Sequence, residues 1–175
     1  MTDGVAASIH ASAVLVGNQA VLIRGPSGAG KSRLAFELIL AGRAGQIPPA
    51  VLVGDDRVHL QARGNQLMVR PARPLAGLIE IRGLGIRRCD FAEEGIVGLV
   101  VDLVADDAER LPPPQALQTN IQGVIIPRIP ISRGFMALPL VVAALTTATG
   151  TDSSPLSADC VKGFGNHIKA SIAPE

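Results

Sequence analysis

The sequence predicts an α/β fold, a single P-loop domain built on a mixed sheet, and three observations predict it. Short runs of Val, Leu and Ile recur along the chain, at residues 21–23, 50–53 and 96–104, as in strands buried on both faces. The glycine-rich segment Gly25-Pro26-Ser27-Gly28-Ala29-Gly30-Lys31-Ser32 stands between the first of these runs and a stretch with helical periodicity. Strand candidates outnumber helix candidates and several are joined by tight turns, which suits a mixed sheet better than a regular doubly wound array.

The elements follow in order. Residues 8–16 are mostly apolar and run into Gly17-Asn18, a tight turn, after which residues 20–24 return as a second strand of a hairpin. A helix is predicted over 31–41, with Leu34, Ala35, Leu38 and Ile39 at helical spacing and Gly42 as its stop. Residues 50–53 form a buried strand ending at Gly54-Asp55-Asp56. Residues 58–62 and 67–70 suggest another hairpin through Arg63-Gly64-Asn65-Gln66. Residues 78–82 lead into Gly83-Leu84-Gly85; residues 96–104 are the most hydrophobic strand candidate and 124–126 a shorter one. Leu111-Pro112-Pro113-Pro114 can be neither helix nor central strand. The last helix is predicted over 137–148. Residues 151–175, rich in Ser, Asp, Gly and Pro, read as a loosely held tail behind a catalytic domain of residues 1–150.

Composition narrows the function classes. Of 175 residues, 47% are hydrophobic and 18% charged, enough for one well-packed core. Aromatic residues amount to four Phe with no Trp or Tyr, which argues against a stacking platform for single-stranded nucleic acid. A formal charge of +1 predicts no general attraction to nucleic acid or anionic membrane. Cys89 and Cys160 are isolated and lack metal-ligand spacing. No stretch reaches the roughly 20 apolar residues of a membrane span, and the start lacks a signal-peptide pattern, so a cytoplasmic location is expected.

The glycine-rich segment carries the chemistry. Its glycines let main-chain N–H groups turn inward as an anion-binding nest, and the helix that follows points its positive end at the same place. Lys31 is placed to reach the β- and γ-phosphates of a nucleotide, and the Ser32 hydroxyl to reach Mg²⁺. Such a site also needs a carboxylate at a strand end. Asp55-Asp56 and Asp102 are the candidates; adjacent acids repel unless a cation offsets them, which favours the pair. One acid of the pair could hold metal through water while the other accepts a proton from an attacking hydroxyl. Asp102, followed directly by apolar Leu103-Val104, reads as structural. His10 lies in an apolar segment, where a histidine is more often a hydrogen-bonded core residue than a catalytic one.

Several of these segments together resemble the catalytic domain of HPr kinase/phosphorylase, over about residues 8–148. The most specific stretch is Ile79-Glu80-Ile81-Arg82-Gly83-Leu84-Gly85-Ile86, preceded in the family's order by the phosphate loop and Val53-Gly54-Asp55-Asp56-Arg57-Val58. The resemblance implies a P-loop variant similar to the phosphoenolpyruvate carboxykinase nucleotide site, assembled as a homo-hexamer. It also implies ATP and Mg²⁺ as cofactors and a serine of the phosphocarrier protein HPr as acceptor. By position, Lys31 would contact the transferring phosphate, Ser32 and Glu80 would bind Mg²⁺, and Asp56 would act as base. His10 would assist that acid, and Arg110 resembles a catalytic arginine.

The chain departs from the family pattern in four places, one of them the connection 43–49, which is longer than usual and lacks a Gly-His-Arg run. The family's N-terminal domain is expected to be absent, because His10 follows the start almost at once. Arg110 is followed by Leu111-Pro112 where the family has Leu-Gly. Ser132-Arg133-Gly134-Phe135-Met136 replaces a Pro-Gly-Arg-Asn loop tied to phosphorolysis, which leaves dephosphorylation of HPr more open than its phosphorylation. Two other readings compete. One is a small-molecule P-loop kinase, with Arg87-Arg88 imitating a lid; the other is a nucleotide-sensing module that binds HPr without transferring phosphate.

Overall fold

The structure, a computed structural model, describes residues 8–148. Eleven strands and two helices follow one another as β1 (Ser8–Ile9), β2 (Ser12–Val16), β3 (Gln19–Arg24), α1 (Lys31–Arg43), β4 (Ala50–Gly54), β5 (Val58–Arg63), β6 (Gln66–Pro71), β7 (Leu78–Ile81), β8 (Gly85–Arg88), β9 (Gly95–Leu103), β10 (Gln118–Ile121), β11 (Val124–Ile131) and α2 (Ala137–Thr146). The main sheet runs β1-β5-β6-β9-β3-β2-β4, with β11 joining β9 and β10 joining β11, while β7 and β8 form a separate two-stranded ribbon. The sheet is mixed: β3 and β11 lie parallel to β9, whereas β2 is antiparallel to both β3 and β4.

Its central strands are apolar on both faces because each face has its own core. Val21, Ile23, Leu99 and Val101 point to the side where α1 and α2 pack. Their neighbours Ala20, Leu22, Val97 and Val100 point the other way, into a core that contains no helix and is closed by β5 and β6. Alternation between two cores, offset once at Gly98 where the register of β9 against β3 shifts, is why no polar face interrupts these runs. A fully buried Leu or Ile contributes about 1.5–3 kcal/mol. Leu22, Ile23, Leu38, Leu52 and Ile126 therefore fill both cores without large aromatic residues.

Three local departures from sequence expectation have physical causes. The first apolar segment is two strands, because the chain breaks at His10-Ala11: β1 pairs with β5 while β2 pairs with β3 and β4. The short strand expected at 124–126 extends to Ile131 through Pro127 and Pro130. Residues 124–127 pair only with β10 and 128–131 only with β9, so neither proline sits in a stretch bonded along both edges. The last helix ends at Thr146, and the tail expected at 151–175, with Cys160, lies outside the described residues. No helix among the described residues is long and apolar enough to cross a membrane.

The topology gathers several chain exits at one edge. Arg24 at the end of β3 and Pro130 near the end of β11 both stand opposite Asp102 of β9. The start of β2 reaches the same edge, with Ser12 opposite Ile23, and the end of β4 follows with Gly54 opposite Ala13. Carboxyl ends of parallel strands are where α/β sheets place their ligands.

Candidate active site

The glycine-rich segment leaves β3 at this edge and closes directly into α1. Gly25, Gly28 and Gly30 all have positive φ, at 148°, 78° and 98°. Gly25 is irreplaceable for a second reason: a Cβ there would stand 2.9 Å from the Leu103 carbonyl oxygen and 3.0 Å from its Cβ. The loop is thus pressed against the end of β9. Gly30 caps α1 in the left-handed conformation, with no side-chain cap and no acid in the first turn. The first N–H groups of the helix are therefore not taken by a side chain, and the helix dipole acts unopposed at the loop.

Lys31 is buried and bends back over the loop, its Nζ donating to the carbonyls of Gly25 (2.9 Å) and Pro26 (3.0 Å). An ammonium has three protons, so one donor is left beyond these two. Burial pushes the Lys31 pKa below its ordinary value, and the nearby charges of Asp55 and Asp56 oppose that shift. An anion's negative charge would supply what the desolvated ammonium lacks.

The two adjacent acids are placed very differently. Asp55 is 3% exposed; its Oδ1 accepts from the Ser12 hydroxyl (2.5 Å) and its Oδ2 from the Glu80 main-chain N–H (3.1 Å). It ties β2, β4 and β7 together and thereby sets where Glu80, exposed on β7, stands. Asp55→Ala strips both donors of their partner and is expected to lower unfolding free energy by about 2–4 kcal/mol, read from urea unfolding. Asp56 turns outward. Arg57 N–H donates to the Asp55 carbonyl (2.8 Å), closing a three-residue turn that holds Asp56 at φ 65°. Such γ-turn geometry is strained for a non-glycine residue and concentrates at functional positions. The Asp56 side chain is 65% exposed, and its Oδ1 lies 3.2 Å from Nε2 of His10. His10 sits in the break between β1 and β2 and is exposed, so it is not a core histidine.

The structure therefore brings Lys31, Asp55, Asp56, His10 and Glu80 together around the phosphate loop. Ser32 follows at the head of α1, half-buried. Arg110 is not drawn in: it lies exposed in the connection after β9 and makes no hydrogen bond or ion pair among the described residues. Residues 132–135 form a turn in which Phe135 N–H donates to the Ser132 carbonyl (3.2 Å) and Gly134 has φ 81°, leaving Phe135 and Met136 exposed. Two pairings, one in the site and one beside it, had no signal in the sequence. Ser12 gave no signal as the partner of Asp55, 43 residues away, and Arg24 none as the partner of Asp102, 78 residues away.

Oxygen donors dominate the site: the Ser32 hydroxyl and the Glu80 and Asp56 carboxylates. Among the described residues no three His, Cys, Asp or Glu side chains converge as a closed metal cage. That donor set fits Mg²⁺, which takes one or two protein ligands and fills its remaining positions with substrate phosphates and water.

A glycine-rich loop between a buried strand and a helix, with a buried lysine over it and carboxylates at the next strand end, defines a P-loop phosphate-binding protein. The chain belongs to the HPr Serine kinase C-terminal domain family, whose match covers residues 4–154. It is 35% identical over 136 residues to the HPr kinase/phosphorylase of Limosilactobacillus reuteri (strain DSM 20016), covering 71% of this chain and 40% of that protein. To the HPr kinase/phosphorylase of Mycoplasma mycoides subsp. mycoides SC it is 33% identical over 153 residues, 78% of this chain and 46% of that protein. The chain thus spans less than half the length of these relatives. The solved structure of the Hpr(Ser) kinase/phosphatase from Coxiella burnetii matches with a TM-score of 0.62 and 28% identity, over 79% of this chain and 93% of that one. The mixed sheet and P-loop expected from the sequence are those of this fold.

Proposed function

We propose that the protein is an ATP- and Mg²⁺-dependent protein kinase that phosphorylates a serine of HPr. The observation that carries this reading is the exposed, strained Asp56, backed by His10 at 3.2 Å, beside a phosphate loop with a buried lysine. A phosphate loop alone binds nucleotide; a free carboxylate next to it activates a hydroxyl.

The geometry supports the following roles, that of Arg110 excepted. The nest of residues 25–30 and the head of α1 orient the polyphosphate, and Lys31 turns its remaining donor toward the transferring group. Mg²⁺, held by Ser32 and Glu80, would neutralise charge on the phosphate oxygens when nucleotide is bound. Asp56 accepts the proton of the attacking serine, and His10 orients the carboxylate through Nε2. Asp55 holds Glu80 and the turn of Asp56 in place. Arg110, on its exposed loop, is assigned to the negative charge of the transferred group. A hexameric assembly and a cytoplasmic setting belong to the same proposal. Residues 132–136 keep a glycine turn but present Phe135 and Met136, so the forward reaction is the one assigned.

Incubation with HPr, Mg²⁺ and γ-labelled ATP tests the reading. Label is expected on HPr and not on small hydroxyl acceptors. Label on a small alcohol without HPr favours a small-molecule kinase; nucleotide binding with no labelled product favours a sensing module.

A further inference from the structure

At the same edge of the sheet, four charged side chains outside the site described above form one continuous network. Arg24 grips Asp102 with two parallel bonds, Nε to Oδ1 and Nη2 to Oδ2, each 2.7 Å. Arg128 donates its Nε to Asp102 Oδ2 (2.5 Å) and spreads its other end over Asp107, Nη1 to Oδ2 (2.6 Å) and Nη2 to Oδ1 (2.9 Å). Its Nη1 also donates to the Ala116 carbonyl (2.9 Å). Asp102 and Arg128 are only 16% and 13% exposed, so each holds its charge by virtue of the other. Burial opposes ionisation of Asp102, but hydrogen bonds from Arg24 and Arg128 outweigh it and hold its carboxyl below the usual range.

The network sits where the chain divides. Arg24 is the last residue before Gly25. Two residues after Asp102, Val104 adopts φ 59°, a costly conformation for a β-branched side chain that persists only when its surroundings fix it. From there the chain enters the connection that Arg128 holds at Asp107 and Ala116, and Arg110 is three residues beyond Asp107.

We infer that Asp102, Arg128 and Asp107 are positioning residues: they lock the ends of β3, β9 and β11 and fix the phosphate loop and the Arg110 connection relative to each other. The inference rests on the proposed function only for the role of Arg110. Asp102→Asn leaves two half-buried guanidinium groups short of countercharge and endangers folding, so Asp107→Asn is the informative variant. It releases the connection while Arg128 keeps Asp102 and Ala116.

Asp107→Asn is expected to lower kcat for transfer to HPr about tenfold with KM for ATP changed less than about twofold. Combined with Arg110→Ala it is expected to cost nothing further, because its effect runs through Arg110. Amide exchange across residues 105–111, which needs no acceptor, is expected to quicken at least about tenfold in Asp107→Asn. Wild-type kcat in Asp107→Asn, the same fold loss with and without Arg110, or unchanged exchange each overturns the inference. If the wild-type protein binds nucleotide yet transfers nothing to HPr, the kinase reading falls, and the exchange result still decides the network.

Discussion

Asp56→Asn is expected to lower phosphate transfer to HPr by about 10²–10⁴-fold while leaving ATP affinity within about twofold of the wild type, the range for removing a positioned general base. The split follows from geometry. The Asp56 carboxylate points outward, 65% exposed, with its Oδ1 3.2 Å from Nε2 of His10. On the proposed mechanism it would meet the acceptor hydroxyl in the transition state and contribute little to holding the nucleotide. Asparagine is also a clean replacement for the backbone, because it tolerates the positive φ of 65° at this position as well as aspartate does. Thermal unfolding should not move, which separates a lost base from a disturbed fold. Single-turnover transfer and equilibrium nucleotide binding measure the two halves. A variant that transfers within about threefold of the wild type removes Asp56 from the mechanism.

Lys31→Met is expected to fail differently, losing transfer by at least about 10²–10³-fold and weakening ATP binding as well. The Lys31 ammonium lies inside the loop, bonded to the carbonyls of Gly25 and Pro26, where on the proposed mechanism it would contact the phosphates in ground state and transition state alike. Methionine keeps the aliphatic stem that fills the site and removes the charge together with the two hydrogen bonds to Gly25 and Pro26. That charge is a burden to the free protein, since burial disfavours it more than Asp55 and Asp56 compensate. Unchanged ATP affinity would place the lysine outside the nucleotide site.

What was legible beforehand was what local chemistry encodes. Gly17-Asn18 and Gly64-Asn65 announced their hairpins, and the glycines before Lys31 announced the phosphate loop, because turns with positive φ admit few residues. The buried strands at 50–53 and 96–104 stood out as unbroken apolar runs for the two-core reason given above. Other elements carried no such mark. Gln118–Ile121 is polar and becomes β10 only because Val124–Pro127 folds back on it. Gly85–Arg88 is fully exposed and becomes β8 only by pairing with Leu78–Ile81. Pro127 and Pro130 disguised the length of β11.

The site divides in the same way. Lys31, Ser32 and the adjacent acids could be named from spacing, but which acid is buried could not. That follows from Ser12 and Glu80 arriving from β2 and β7 to occupy both oxygens of Asp55. Likewise, His10 is free of the core because β1 and β2 pair with different strands, a property of the topology. The ion network of Arg24, Asp102, Arg128 and Asp107 joins residues from three strands and a loop and has no local signature at all.

The central claim is that this edge of the sheet transfers a phosphoryl group to a protein serine. Mass spectrometry of HPr after incubation with the protein and Mg·ATP tests it most directly, with the modified residue located by fragmentation. One phosphoserine on HPr is expected, absent when Asp56→Asn or Lys31→Met replaces the wild type. Unmodified HPr in the presence of protein that binds ATP normally would contradict the account.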